Sequence, residues 1–133
     1  MVVGVRDMVV ELQGRVATAS VPEVKQAMDS GGLDFLIDVR DAGEFRSEHL
    51  PGARNVSRGM LELRLDPNAP MPDPDLAGRW DASIIVYCMR APGFRSLAAA
   101  DTLARMGYTN VRQLAGGVDG WKNEGLPVES AAG

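Results

Sequence analysis

The chain has one cysteine and one histidine in 133 residues. A lone cysteine cannot close an internal disulfide, and no group of cysteine and histidine has the spacing of a metal site. Neither a disulfide, a resident metal nor a cofactor is therefore expected. Long apolar runs are also missing: nothing approaches the roughly 18 residues of a membrane span. The opening Met1-Val2-Val3-Gly4-Val5-Arg6-Asp7 meets charge too soon for a secretory signal. There is no basic stripe, and the formal net charge is -4, which argues against nucleic acid and anionic membranes as partners. No repeat shows at a period of about 20 to 50 residues. These absences leave a single domain in a reducing compartment, by default the cytoplasm, where a reactive thiol persists best. With 45% hydrophobic and 24% charged residues the composition is that of an ordinary globule, and the length allows a core without staples.

What is present centres on that one cysteine. Ile84-Ile85-Val86-Tyr87 reads as a buried strand, followed at once by Cys88, a Gly/Pro turn with Arg90 and Arg95, and a helical pattern from Ser96. That order sets a thiol at the carboxyl end of a strand and at the mouth of a helix. Backbone N–H groups there are unpaired and the helix dipole is positive, a setting that favours thiolate over thiol. The bland alternative is a small buried hydrophobe, a common fate of free cysteine; the two arginines favour the reactive reading.

The remaining pattern alternates strands and helices. Val5, Met8, Val9, Leu12 and Val16 recur at helical spacing and predict an N-terminal helical arm over 1–19. Ser20-Val21-Pro22-Glu23 is a helix start with capping residues in place, and Gly31-Gly32 ends that helix. Phe35 to Val39 predicts a buried strand, Asp41 to Glu48 a short helix, Asn55-Val56 a brief strand, and Met60 to Leu65 another short helix. Prolines at 67, 70, 72 and 74 forbid helix and central strand, so 66–78 is expected as a surface loop of polyproline character, a plain connector rather than a lid. Ser96 to Met106 predicts a helix with Leu97, Ala100, Leu103 and Ala104 inward, stopped by Gly107. Val111 to Leu114 predicts a strand, and Val118 to Glu124 a last helix with Trp121 packed inward. Such alternation predicts an α/β fold with a mostly parallel sheet, and in such folds ligands bind beyond the carboxyl ends of the strands. Cys88 falls there, and so does Asp38-Val39-Arg40-Asp41.

These pieces, taken in order, resemble the rhodanese-like domains, the single-domain sulfurtransferase family. The matching residues are Leu36-Ile37-Asp38-Val39-Arg40, Glu44-Phe45, and His49-Leu50-Pro51-Gly52-Ala53. After them come Val86-Tyr87-Cys88, Arg95-Ser96, Met106-Gly107-Tyr108, and Leu114-Ala115-Gly116-Gly117 with Trp121. The resemblance spans about 20–128, leaving 129–133 as an expected flexible tail, and implies a three-layer α/β/α sandwich on a five-stranded parallel sheet.

The resemblance also implies sulfur transfer of the thiosulfate:cyanide type. Cys88 would take sulfur from a small donor such as thiosulfate or a persulfide, carry it as a persulfide, and pass it to a thiol or cyanide. Met89, Arg90, Ala91, Gly93, Phe94 and Arg95 would bind the substrate, backbone N–H groups forming an anion nest and an arginine holding the sulfonate. Asp38, Arg40, Arg58 and Ser96 are candidates for the layer behind them, with Asp38 and Arg40 read first as a scaffold ion pair. His49 is expected to be structural, and Trp80 and Trp121 to pack. One departure stands out. Family sulfurtransferases place Gly three and Arg five residues after the cysteine, whereas here Gly93 is five and Arg95 seven residues on. The phosphatase relatives have a loop one residue longer than the sulfurtransferases, so this loop exceeds both, and Pro92 removes one N–H. The longer loop keeps two alternatives open: a thiolate enzyme acting on phosphate or arsenate, and a regulatory or docking module without chemistry.

Overall fold

Ser20 starts its helix as the spacing predicts. Its Oγ accepts the Glu23 N–H at 3.2 Å while Glu23 Oε1 accepts the Ser20 N–H at 3.0 Å, and Gly31 closes the helix at φ 77°. The computed structural model describes residues 1–131. In chain order it has α1 (Val5–Gln13), β1 (Ala17–Ala19), α2 (Val21–Ser30), β2 (Phe35–Asp38), α3 (Ala42–Ser47) and β3 (Arg54–Asn55). A one-turn 3₁₀ helix (Arg58–Met60) leads into α4 (Leu61–Leu65), then come β4 (Ile84–Tyr87), α5 (Phe94–Met106), β5 (Val111–Leu114) and α6 (Gly117–Asn123).

The five strands form one parallel sheet in the order β1-β5-β4-β2-β3, so β4 is central. Strand alternation sends its side chains to opposite layers. Ile84, Val86 and Cys88 join Leu61, Leu65, Ala99 and Leu103 in the core beneath α4 and α5. Ile85 and Tyr87 join Val24, Leu50, Val118 and Trp121 beneath α2 and α6. This is the expected α/β/α sandwich, and the register aims the Cys88 side chain at α5.

Several local expectations are corrected. Ala17–Ala19 is an edge strand paired with β5, where the sequence suggested only the end of an arm; three residues are too few to show a period. The arm's helix packs on α5 through Val9, Leu12 and Leu97, whereas Val5 and Met8 are exposed. Ala104 faces outward and Ala99 is buried instead. The proline-rich stretch folds as successive turns and inserts Leu76 into the core, so it is more than a surface connector. Of the expected tail, residues 132–133 lie outside the described residues. Glu129 exchanges backbone hydrogen bonds with His49 at 2.8 and 2.9 Å, which ties it to the domain.

Candidate active site

Cys88 leaves the sheet at the end of β4, 4% exposed, and begins the loop to α5. Gly93 closes that loop in the left-handed region at φ 84° and caps α5. An added Cβ there would lie 2.7 Å from Gln113 Oε1 and 2.9 Å from Ser96 Oγ, so only glycine fits. The turn between β5 and α6 fixes the loop's other end. Val118 N–H donates to the Cys88 carbonyl at 3.1 Å and Asp119 N–H to that of Met89 at 2.9 Å.

The loop encloses a cavity of about 330 Å³ lined by Cys88, Met89, Arg90, Ala91, Pro92, Gly93, Phe94, Arg95 and Glu44. Every residue predicted to bind substrate is thus brought together around the thiol. Among the described residues, no hydrogen bond engages the backbone N–H of Met89, Arg90, Ala91 or Gly93. Phe94, Arg95 and Ser96 open α5, so their N–H groups have no carbonyl one helical turn back. The residues that line the thiol's cavity therefore carry unpaired backbone donors, a composition suited to an anion.

The two arginines of the loop differ. Arg95 is half-buried and bidentate to Glu44, with Nη1–Oε1 2.8 Å and Nη2–Oε2 3.2 Å. Hydrogen bonding to Arg95 is the main reason that the Glu44 carboxyl lies below its ordinary range, and Glu44 in turn holds the Arg95 guanidinium above its own. Glu44 Oε1 also accepts the Asp41 N–H at 3.2 Å, which pins the carboxylate to the start of α3. Arg90 is 70% exposed on its side chain and lies 3.6 Å from Asp119.

Asp38 and Arg40 form the buried scaffold pair expected of them. Arg40 Nη2 meets Asp38 Oδ2 at 2.7 Å and Nε meets Oδ1 at 3.1 Å. The same guanidinium reaches the Glu48 carbonyl at 2.6 Å and Met89 Sδ at 3.6 Å, beneath the loop. Burial by itself would lower the Arg40 pKa, but the bonds and charge of Asp38 outweigh it and raise it. Burial first, then the Asp38 charge, pushes the Tyr87 hydroxyl up, which leaves it neutral to accept the Leu50 N–H at 3.1 Å. Arg58 is not at the site: it is held by Glu62 at 2.9 Å and Thr102 at 2.9 Å and faces a separate cleft with Arg105. His49 stacks on Phe45 at 3.9 Å, and its Nδ1 lies 2.8 Å from the Phe45 carbonyl, away from the cavity. Trp121 is buried and donates to the Pro127 carbonyl at 2.8 Å, and Trp80 packs on Tyr108.

Ser96 Oγ stands 3.4 Å from Cys88 Sγ and 2.7 Å from Gln113 Oε1. Glu44 and Gln113 are the site residues that sequence reasoning missed. Glu44 lies 51 positions from Arg95, beyond any local signal. Gln113 did leave a sign: a polar residue inside the short strand Val111–Leu114, where buried strands run apolar.

Residues 20–124 match the family model described as Rhodanese-like domain. The chain is 37% identical over 101 residues to the thiosulfate sulfurtransferase GlpE of Actinobacillus succinogenes, across 74% of this chain and 78% of that one. Among solved structures, a Rhodopseudomonas palustris protein of unknown function, described as a possible tyrosine phosphatase, superposes with a TM-score of 0.86 at 31% identity, covering 97% of this chain and 96% of that one. The human single-domain sulfurtransferase TSTD1 superposes with a TM-score of 0.67 at 26% identity, covering 82% and 97%. A parallel five-stranded sheet in this order, a thiol at the end of its central strand and a family match over most of the length lead to one conclusion: the chain belongs to the rhodanese-like domain family.

Proposed function

We propose that the protein is a sulfurtransferase that carries a sulfane sulfur as a persulfide on Cys88. The observation that carries this reading is a thiol in a small cavity lined by loop residues whose backbone N–H groups are uncommitted. The names of GlpE and TSTD1 support the same class. With thiosulfate as donor, the Cys88 thiolate attacks the outer sulfur. An Sγ–S bond forms, the bond to the sulfonate sulfur breaks, and sulfite leaves with the electron pair. The loop N–H groups hold the persulfide anion, and Arg95 or Arg90 holds the sulfonate oxygens. Cyanide or a thiolate then attacks the outer sulfur, thiocyanate or a new persulfide leaves, and the Cys88 thiolate returns. Its single cysteine suits a reducing compartment such as the cytoplasm. Among the described residues, no helix is long and apolar enough to cross a membrane.

A second reading, hydrolysis of a phosphate ester by the same thiolate, is favoured by the seven-residue step from Cys88 to Arg95 and by the Rhodopseudomonas neighbour. It needs an acid to protonate the leaving group. Among the described residues, the one carboxyl lining the cavity is Glu44, which Arg95 keeps ionised, and Asp38 is locked to Arg40. The sulfur reading is therefore preferred. Intact mass of wild type and Cys88→Ser after thiosulfate tests it. Gain of one sulfur in wild type alone, removed by cyanide, is the expected result. Equal gain in both proteins, or no gain together with hydrolysis of p-nitrophenyl phosphate, overturns it.

A further inference from the structure

Behind the thiol lies a row of polar groups, Ser96 and Gln113 buried among them, that the chemistry above does not use. Gln113 sits opposite Val86 in the β4–β5 register. Its side chain thereby points to the same layer as Cys88, two residues after Val86 and just past the end of β4. It is 5% exposed, and the loop end at Gly93 closes over it. Its Nε2 donates to Thr18 Oγ1 at 3.1 Å, and its Oε1 lies 2.7 Å from Ser96 Oγ. Ser96 Oγ in turn is 3.1 Å from the Gly93 carbonyl and 3.4 Å from Cys88 Sγ.

A hydroxyl has one proton to give. Thr18 holds the amide nitrogen of Gln113, so the amide oxygen faces Ser96 and takes that proton at the shortest distance in the row. The Ser96 oxygen then presents a lone pair to Cys88 and accepts its S–H. This arrangement suits a thiol. A thiolate, or the persulfide anion after it, calls for the opposite: the Ser96 proton must turn toward sulfur, leaving the buried Gln113 oxygen without a donor, which is costly.

We propose that Gln113 is a positioning residue that restrains Cys88: by holding the Ser96 proton it withholds that donor from the sulfur, and Thr18 on the edge strand holds Gln113 in that orientation. The inference rests on the reading of Cys88 as the nucleophile. Glu44, Arg90 and Arg95, the charged groups lining the same cavity, are untouched by the substitutions that test it.

Gln113→Leu removes, at similar volume, the nearer of the two acceptors that compete with sulfur for the Ser96 proton, leaving the Gly93 carbonyl at 3.1 Å. The alkylation rate of Cys88 by iodoacetamide at neutral pH is expected to rise about fivefold, the scale of one neutral hydrogen bond released. The ultraviolet absorbance of the thiolate should rise with it. In a Ser96→Ala background the same substitution should change neither readout, because the hydroxyl that transmits it is gone. Thr18→Val, at an exposed position, frees the amide to turn its NH₂ toward Ser96 and should also accelerate alkylation, which keeps the test open if Gln113→Leu fails to fold. Unchanged or slower alkylation in a folded Gln113→Leu or Thr18→Val, or an acceleration that persists without Ser96, overturns the proposal. Both readouts follow the thiol itself, so failure of wild type to load sulfur is a separate result that bears only on the sulfurtransferase reading.

Discussion

Gly117→Ala is a sharp test of how the candidate site is built. Gly117 starts α6 at φ 56°, and an added Cβ would meet the Cys88 carbonyl oxygen and stand 2.8 Å from the Met89 carbonyl carbon. Those are backbone atoms of the active loop, so no side chain can swing aside. The β5–α6 turn must move, and with it go the bonds from Val118 and Asp119 to the carbonyls of Cys88 and Met89, at 3.1 and 2.9 Å. Left-handed backbone in a residue with a Cβ costs about 1 kcal/mol, and each backbone hydrogen bond about 1 kcal/mol net. The sum is about 3 kcal/mol, a fall of roughly 10 °C in Tm for a domain of this size. Gly31→Ala is the matched control: φ is 77°, but nothing lies within 4 Å of the added Cβ. It bears the backbone strain alone, so a loss of about 1 kcal/mol is expected. Thermal and urea denaturation of both variants measure the difference, and alkylation of Cys88 reports the loop. Equal losses in the two variants, or a Gly117→Ala protein as stable as wild type, would refute the claim that close approach of two backbones shapes this site.

Other consequences follow from the charges. Arg40→Leu strands the Asp38 carboxylate in the core, where Asp38 is fully buried; a loss of about 3 to 5 kcal/mol is expected in urea titration, largely recovered by adding Asp38→Asn. Glu44 has a depressed carboxyl pKa in the folded chain, so its contribution to stability is complete above the ordinary carboxylate value of about 4.3 and fades as pH falls through the lower folded value. Stability measured from about pH 5 to about pH 3 should therefore fall less steeply in Glu44→Gln than in wild type, and parallel curves would deny the Glu44–Arg95 pair that role. Arg95→Ala should weaken the protection that thiosulfate gives Cys88 against alkylation by about tenfold. Arg90→Ala, at the exposed rim, should change it by less than about twofold, and the reverse order would reassign the anion-holding arginine.

Much of this was legible from neighbours in the chain. The Ser20–Glu23 capping box, the apolar run into Cys88 and the glycine after α5 are short-range signals, because capping, strand alternation and turn chemistry act within a few residues. Such signals suffice for the α/β class, the position of the one nucleophile at a strand end, and the loop that follows it. Pairing between distant segments was decided elsewhere. Ala17–Ala19 is a strand because β5 offers it a free edge, and Ala104 faces out because the packing of α5 on the sheet centres its buried face on Ser96, Ala99, Ala100 and Leu103. Arg58 was drawn off by Glu62 and Thr102. Glu44 reached Arg95 across 51 positions, and Gln113 reached Ser96 across 17. Only the tertiary structure settles such partnerships: a hydrogen bond is specified by distance and direction in space, and the order of residues along the chain constrains neither once the separation exceeds a turn.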